Sequence, residues 1–290
     1  MVNDGGIDAF YPESVKEALE QLQPQTAMIA GATQFMLQYT PYKKELPFRH
    51  LMFLENIAEL KNITRKDETI RVGALCTAAQ LSSAENLPRV LREAASGLGS
   101  PALRRRATAG GNILTASPAG DILTALYALD AGVRLQSVRG TRVLKLDQLI
   151  SGPGKTVILE DELLTGIEFA GENAAEQSRY LKVADRNTNG ISKVSLAAIL
   201  PDRKNRGANG RVRLAYGAVG ATVLRARALE QVLENRLRDD SSAVSGEEIG
   251  RLLQKEIFPI DDFRSTALYR RQTAVNLTLY ALEQCCRLPG

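Results

Sequence analysis

The sequence predicts an α+β protein made of two units joined by a linker. Up to about residue 170, short apolar runs bounded by turn residues alternate with helical patterns. After residue 178, three strand-like runs are followed by three helical patterns, which is typical of a sheet covered by helices. The segment 171–178 between them consists of small, polar and charged residues, which is typical of a linker. The predicted units are residues 1–172, subdivided near residue 60, and residues 178–288.

The first unit begins with a helix-capping pattern at residues 14–17, Ser-Val-Lys-Glu, followed by apolar residues at helical spacing. This predicts a helix that ends near Pro24. Short apolar runs at 26–30 and 51–54 predict buried strands, and residues 34–39 between them predict a second helix. The order helix, strand, turn, helix, strand predicts a small α/β layer over roughly the first 60 residues.

The middle of the chain predicts a second sheet with helices. Alternating apolar and polar residues around Arg139 and Gly140 indicate a hairpin, because this dipeptide separates two strand-like runs. The predicted strands are 70–74, 133–138, 141–146 and 163–169, and the predicted helices are 77–83, 88–97 and 121–131.

The C-terminal unit shows strands first and helices later. The predicted strands are 180–184, 194–200 and 212–219, and the predicted helices are 222–237, 246–258 and 265–286. Residues 201–210 carry three basic residues and two glycines, so we expect a solvated turn there.

The composition excludes several classes of protein. A net charge of +4 over 290 residues is too small to indicate nucleic-acid or anionic-lipid binding. The chain has one histidine, His50, which excludes a His-rich zinc or iron site within one subunit. The three cysteines, Cys76, Cys285 and Cys286, form no CxxC motif, so they offer no zinc or iron–sulfur site and indicate a reducing compartment. Residues 21–42 lack charge but contain five glutamines and two prolines, so they predict no membrane span. We expect a cytoplasmic protein in which Cys76 is a core residue.

The sequence does not support either of two common nucleotide-binding motifs, the P-loop and the Gly-x-Gly-x-x-Gly motif. Residues 151–156 contain Gly-Lys-Thr, but Leu149 stands where a P-loop needs its first glycine. The residues that follow, 157–159, predict a strand, whereas a phosphate loop leads into a helix. No Gly-x-Gly-x-x-Gly follows a strand, and a Ser-His triad would depend on His50, which we expect to be structural.

The first candidate site is residues 30–34, Ala-Gly-Ala-Thr-Gln, here called the first loop. It lies between a predicted strand and a predicted helix. Gly31 allows a sharp turn that points backbone N–H groups at an anion, and Thr33 adds a hydroxyl donor. The alternative is an ordinary strand–helix turn.

The second candidate site is residues 108–121, here called the second loop. Its 14 residues include three alanines, three glycines and the single charge of Asp121. Such small residues allow a flat or phosphate-bearing ligand to approach the main chain, while hydroxyls and amides meet its oxygens and the carboxylate holds a sugar hydroxyl. The alternative is a tightly packed structural loop.

These residues resemble a known family. The second loop reads Thr-x-Gly-Gly-Asn-Ile-x-x-Ala-Ser-Pro-x-x-Asp, and upstream lies Ala-Gly-x-Thr. Both are similar to motifs in the FAD-binding medium subunit of molybdenum hydroxylases, of the xanthine dehydrogenase and aerobic carbon monoxide dehydrogenase type. Residues 10–18, 152–155, 162–168 and 263–271 resemble further parts of that family, so the resemblance covers nearly the whole chain.

The resemblance implies a bipartite FAD-binding domain of the vanillyl-alcohol-oxidase (PCMH) type, followed by a smaller α+β domain of the CO dehydrogenase flavoprotein type. It implies that FAD is held by residues of both loops and by further positions, with Leu164 and Lys182 near the isoalloxazine. The implied cofactor-binding residues are Met28, Ile29, Ala30, Gly31, Ala32, Thr33, Gln34, Phe35, Leu98, Thr108, Ala109, Gly110, Gly111, Asn112, Asp121, Leu164 and Lys182.

The resemblance also implies a role in electron transfer. In such enzymes a large subunit holds the molybdenum cofactor, a small subunit holds two-iron two-sulfur clusters, and FAD passes the electrons to NAD or another acceptor. This chain then contributes no catalytic acid or base and no metal ligand. The substrate of the complex is left open among purines, aldehydes, N-heterocycles and carbon monoxide.

The sequence departs from the family pattern at two positions. Ala32 stands where many bacterial members have a second glycine, and Gln34 stands where Asp, Glu or Ser is common. A positive φ at position 32 would cost an alanine about 1 kcal/mol. The departures leave open two alternatives: a non-catalytic partner module that has lost its flavin, and a stand-alone flavin oxidoreductase.

Overall fold

A three-stranded parallel sheet forms the first part of the structure, a computed structural model that describes residues 7–39, 47–171, 176–186, 189–201, 211–238 and 244–286. The order of the strands in this sheet is β1-β3-β2. Its elements are β1 (Asp8–Phe10), α1 (Val15–Gln21), β2 (Thr26–Ile29), α2 (Phe35–Gln38) and β3 (His50–Phe53). The predicted cap is present, because the Ser14 side chain accepts a hydrogen bond from the Glu17 backbone N–H at 3.1 Å.

An antiparallel five-stranded sheet with six helices forms the second part. The order of its strands is β4-β5-β10-β6-β7, and β6 and β7 form the predicted hairpin. The strands are β4 (Ile63–Lys66), β5 (Thr69–Gly73), β6 (Gly132–Ser137), β7 (Gly140–Lys145) and β10 (Leu163–Ala170), with the small pair β8 (Ile150–Gly152) and β9 (Lys155–Thr156). The helices are α3 (Ala78–Ser83), α4 (Arg89–Ser96), α5 (Pro101–Arg104), α6 (Ala109–Leu114), α7 (Asp121–Ala128) and α8 (Leu146–Leu149).

The C-terminal unit is a four-stranded antiparallel sheet with three helices. Its strands follow one another in the sheet as they do in the chain. They are β11 (Glu176–Val183), β12 (Val194–Pro201), β13 (Arg213–Gly217) and β14 (Leu224–Arg225). The helices are α9 (Arg227–Arg238), α10 (Gly246–Leu253) and α11 (Ala267–Cys286), and α11 packs on β12.

The two units share a hydrophobic core where they meet. The largest apolar cluster joins the second sheet, α4 and α7 to Tyr180, Ala197 and Ala215 of the C-terminal sheet. Polar bonds add to this contact, since the Glu93 carboxylate accepts from the Tyr180 backbone N–H at 2.8 Å. Both apolar and polar contacts therefore hold β11 against the N-terminal unit.

Several details differ from the sequence prediction. The second loop is not irregular throughout, because α6 lies inside it. Residues 157–159 form no strand, although they form no helix either, and the first predicted helix of the C-terminal unit begins at Arg227, after the short strand β14. Residues 202–210 of the predicted turn and half of the predicted linker fall outside the described residues.

Cys76 is a core residue, as predicted. Its side chain is fully buried in the largest cluster, and burial raises the pKa of its thiol to about 11. Cys285 is also buried. Within the described ranges, no group of His, Cys, Asp and Glu side chains is arranged to hold a metal ion, and no helix has the length and hydropathy needed to cross a membrane.

Candidate functional site

A cleft of about 1220 Å³ opens where the first loop, the second loop and the C-terminal unit meet. The residues that the sequence assigned to cofactor binding line this cleft, except Ala109 and Lys182. The lining residues predicted from the sequence are Met28, Ile29, Ala30, Gly31, Ala32, Thr33, Gln34, Phe35, Leu98, Thr108, Gly110, Gly111, Asn112, Asp121 and Leu164. The structure thus brings together two loops that are more than 70 residues apart in the chain.

Gly31 allows the first loop to lie directly against the chain that leads into the second loop. A Cβ atom at position 31 would come within 1.8 Å of the Arg106 carbonyl oxygen and 3.3 Å of the Ala107 nitrogen. Both are backbone atoms, so no side-chain movement makes room for a larger residue. Glycine is required here for a close approach of two backbones.

Ala32 has a left-handed backbone conformation, with φ of 59°. This is the positive φ whose cost for an alanine was considered from the sequence. Gln34, two residues later, has a right-handed helical backbone conformation. Within the described part of the chain, the backbone N–H groups of Ala32, Thr33 and Gln34 donate no hydrogen bond. Successive N–H groups in such a turn form a concavity that suits an anion, so the first loop offers donors to the cleft.

We expect the substitution Ala32→Gly to stabilise the apoprotein by about 0.5–1 kcal/mol. Removing the left-handed alanine raises the free energy of unfolding by about 1–2 kcal/mol. The greater backbone entropy of glycine in the unfolded chain lowers it by about 0.5–1 kcal/mol. Denaturant unfolding measures the change, and FAD titration should show binding no weaker than in the parent. The control Ala30→Gly lies in the same loop without a positive φ, so it should destabilise. A loss of stability in Ala32→Gly would contradict the strain assigned to this loop.

The second loop uses its backbone donors inside the chain. Thr108 caps α6 by accepting from the Gly111 N–H at 3.1 Å. The N–H groups of Ala109 and Gly110 donate to the carbonyls of Cys76 and Ala74, at 2.9 and 2.8 Å. These two amides are therefore not free for ligand oxygens, because the chain that follows β5 accepts their hydrogen bonds.

Gly110 and Gly111 have different surroundings. A Cβ at Gly110 would lie 3.0 Å from both the Cβ and the carbonyl oxygen of Ala74, so this glycine lets α6 pack closely on the core. Gly111 is exposed, and a Cβ there would approach only the Thr108 hydroxyl, at 3.0 Å. Neither glycine has a positive φ. The side of α6 at Gly111 thus offers the cleft a surface without a side chain.

Asn112 places the start of α7 at the cleft. Its Oδ1 accepts from the Leu123 N–H at 3.1 Å, whereas Gly120, the N-cap residue of α7, has no side chain to do so. This bond ties the second loop to the first turn of α7, where Asp121 is the first residue. Asn112 therefore contributes to the site through α7 as well as through its own position in the wall.

Asp121 is nearly buried and receives three hydrogen bonds from the C-terminal unit. Oδ1 accepts from the Tyr180 hydroxyl at 2.6 Å and from the Ser192 hydroxyl at 3.0 Å, and Oδ2 accepts from Lys182 Nζ at 2.7 Å. Burial, followed by the charge of Asp121, raises the pKa of Tyr180 well above its usual value of 10.0, so its hydroxyl keeps its proton. Lys182 contacts the site through this carboxylate.

The C-terminal unit adds residues that the sequence reasoning missed. Arg186, Ile191, Arg264 and Arg270 line the cleft. Arg270 is held in place, since it donates to the Ala218 carbonyl at 2.7 Å and to Asp262 at 2.6 Å. The only signals for this wall were the motif at 263–271 and the predicted strand 180–184, which ends two residues before Arg186. Neither indicated a position at the cleft. The wall gives the cleft a basic side.

Comparison with known protein families decides the relationship. Residues 5–169 match the model of the FAD binding domain in molybdopterin dehydrogenase, and residues 179–285 match the CO dehydrogenase flavoprotein C-terminal domain. The chain belongs to this family of flavoproteins. The first match alone covers more than half of the chain. Both the resemblance and the two-domain fold class predicted from the sequence are confirmed.

Flavoprotein subunits from other organisms are similar to the chain over most of their length. The chain is 28% identical over 273 residues to the xanthine dehydrogenase FAD-binding subunit of Escherichia coli O157:H7, covering 92% of this chain and 91% of that protein. It is 35% identical over 199 residues to the nicotinate dehydrogenase FAD-subunit of Eubacterium barkeri, covering 64% and 66%. The chain is thus an FAD-binding subunit of the molybdenum hydroxylases of the xanthine and CO dehydrogenase type.

Solved structures share the whole fold. A chain of carbon monoxide dehydrogenase from Hydrogenophaga pseudoflava superimposes with a TM-score of 0.83 and 26% identity, covering 97% of both chains. The fold of both units of this chain is therefore the fold of that carbon monoxide dehydrogenase chain. The assignment of single residues to the cofactor stays a prediction.

Proposed function

We propose that this flavoprotein binds FAD noncovalently in the cleft and relays electrons within a molybdenum hydroxylase complex. The observation that carries the proposal is the meeting of the two loops at one cleft, where the first loop has backbone N–H groups that the described chain leaves unused. The family match supports FAD as the ligand. Electrons would come from iron–sulfur clusters of a partner subunit and leave to NAD or another acceptor.

The cleft fits a dinucleotide in size and chemistry. Its volume of about 1220 Å³ exceeds the roughly 300–1,000 Å³ of pockets for smaller ligands. The diphosphate suits the N–H groups of the first loop and the bare surface at Gly111, because both allow oxygen atoms close to the main chain. Leu98 and Leu164 offer apolar contacts to a flat ring.

Bound FAD would supply one-electron and hydride chemistry, and the protein supplies binding and orientation. The first loop would neutralise the diphosphate with N–H donors. The largely buried carboxylate of Asp121 would accept a hydrogen bond from the nucleotide, and the basic C-terminal wall would favour its negative charge. None of these roles requires a side chain to exchange a proton, which agrees with a cleft wall whose described residues include no histidine or cysteine.

The names of similar proteins support the proposed partners. Similar proteins are named as parts of larger assemblies, such as the 6-hydroxypseudooxynicotine dehydrogenase complex subunit alpha of Paenarthrobacter nicotinovorans, 27% identical over 285 residues. We infer that this chain likewise assembles with a large molybdenum-binding subunit and a small iron–sulfur subunit. Substrate oxidation would occur on the large subunit.

The direct test is the flavin content of the purified chain. We expect about one FAD per polypeptide, released completely on acid or heat precipitation, because the described residues that line the cleft include neither His nor Cys. Absorbance of the supernatant and of the pellet after precipitation measures both properties. Flavin that stays on the precipitated polypeptide would contradict noncovalent binding. A colourless protein that takes up no FAD would instead support the non-catalytic partner module.

A further inference from the structure

A buried hydrogen-bond network crosses the junction of the two units beside the cleft. Asp121 accepts at both carboxylate oxygens from Tyr180, Ser192 and Lys182. Lys182 Nζ also donates to the carbonyl of Gly97 at 3.2 Å, so its ammonium group is held between α4 and α7. All three donors belong to the C-terminal unit, whereas the acceptors belong to the N-terminal unit.

This arrangement pairs and hydrogen-bonds a carboxylate that is almost fully buried. Asp121 is only 7% exposed, and a carboxylate buried to that degree is stable as an anion only if it is paired and hydrogen-bonded. Lys182 supplies the opposite charge, and the two hydroxyls supply neutral donors. A carboxylate has about four acceptor positions. The described residues occupy three of them and leave one for a ligand at the cleft that Asp121 lines.

Ser192 also holds part of the cleft wall. Asn189, Gly190 and Ile191, the residues just before it, line the cleft. Ser192 is fully buried, and its hydroxyl bonds to Asp121 across the junction of the units. The orientation of the carboxylate and the position of this wall are therefore set by the same network.

We propose that Tyr180, Lys182 and Ser192 are positioning residues that act through Asp121, holding its free acceptor position toward a hydroxyl or N–H group of the flavin nucleotide. This inference rests on the proposed function. It gives Lys182 a role through Asp121, since Lys182 Nζ donates to the Asp121 carboxylate at 2.7 Å. It also makes cofactor affinity depend on the contact between the two units.

The test compares two buried tyrosines in the full-length chain. Tyr180→Phe removes one donor to Asp121, and Tyr216→Phe removes a bond of the same length, 2.6 Å, to Thr278 inside the C-terminal core. Both variants should lower the unfolding midpoint of the apoprotein. Only Tyr180→Phe should also weaken FAD binding, by at least ~10-fold. Titration of apoprotein with FAD, followed by flavin fluorescence, measures the dissociation constants.

A double-mutant cycle separates positioning from direct contact. In the background Asp121→Asn, adding Tyr180→Phe or Ser192→Ala should change the FAD dissociation constant less than about twofold, because the group through which they act has lost its charge. Equal FAD affinity in the parent and Tyr180→Phe would overturn this proposal while leaving the proposed function in place. A parent chain that binds no FAD would overturn the proposed function itself.

Discussion

Replacing Gly31 with alanine should weaken FAD binding by more than ~100-fold, the largest effect expected from one methyl group in this protein. The added Cβ would lie 1.8 Å from the Arg106 carbonyl oxygen and 2.6 Å from its carbon. Ordinary overpacking costs about 1–3 kcal/mol, and a clash between two backbones lies at or above the upper end of this range. The first loop must therefore move away from the second, and the binding surface that they share is lost.

The matched control for this substitution is Gly152→Ala. Gly152 has no atom within 4 Å of an added Cβ and no positive φ, so alanine there should leave stability and FAD affinity close to the parent values. Calorimetric unfolding and FAD titration are measured on both variants. FAD affinity within threefold of the parent in Gly31→Ala would show that the contact between the loops does not form the site.

The second large effect is a contrast between Gly111→Val and Gly110→Val. At Gly111 the side chain faces the cleft, so the apoprotein should stay folded while FAD binding weakens at least ~10-fold, or about 1.4 kcal/mol. At Gly110 the side chain meets Ala74, so the apoprotein itself should lose about 1–3 kcal/mol of stability.

Thermal unfolding with and without FAD separates the two cases. A ligand at a hundredfold excess over its dissociation constant stabilises a protein by about 2.7 kcal/mol. Gly111→Val should lose about half of this gain at the same FAD concentration, with an unchanged apoprotein midpoint. If Gly111→Val binds FAD as tightly as the parent, the second loop is structural packing and the site lies elsewhere.

The sequence predicted the site where its signals were local. Gly31 between a strand and a helix indicated a close turn, and the structure shows that turn. The second loop was harder to predict, because two adjacent glycines are poor helix formers. Its helix α6 forms because the carbonyls of Ala74 and Cys76 accept its first N–H groups. Those acceptors lie more than 30 residues earlier, where no local pattern points to them.

The hydrogen-bond network around Asp121 could not be predicted from the sequence either, because its partners are also distant in the chain. Its donors Tyr180, Lys182 and Ser192 are 59, 61 and 71 residues from Asp121. The family resemblance indicated Asp121 and Lys182 as separate cofactor contacts. Their salt bridge depends on how the C-terminal sheet packs against α7, which only the structure shows.

Hydrogen exchange of the native protein with and without FAD tests the central claim most directly. The backbone N–H groups of Ala32, Thr33 and Gln34 donate no bond within the described chain, so bound FAD should slow their exchange strongly. Those of Ala109 and Gly110, which are already bonded, should change little. Such a pattern would place the diphosphate on the first loop. Saturating FAD that leaves exchange across residues 31–34 unchanged would contradict this account of the site.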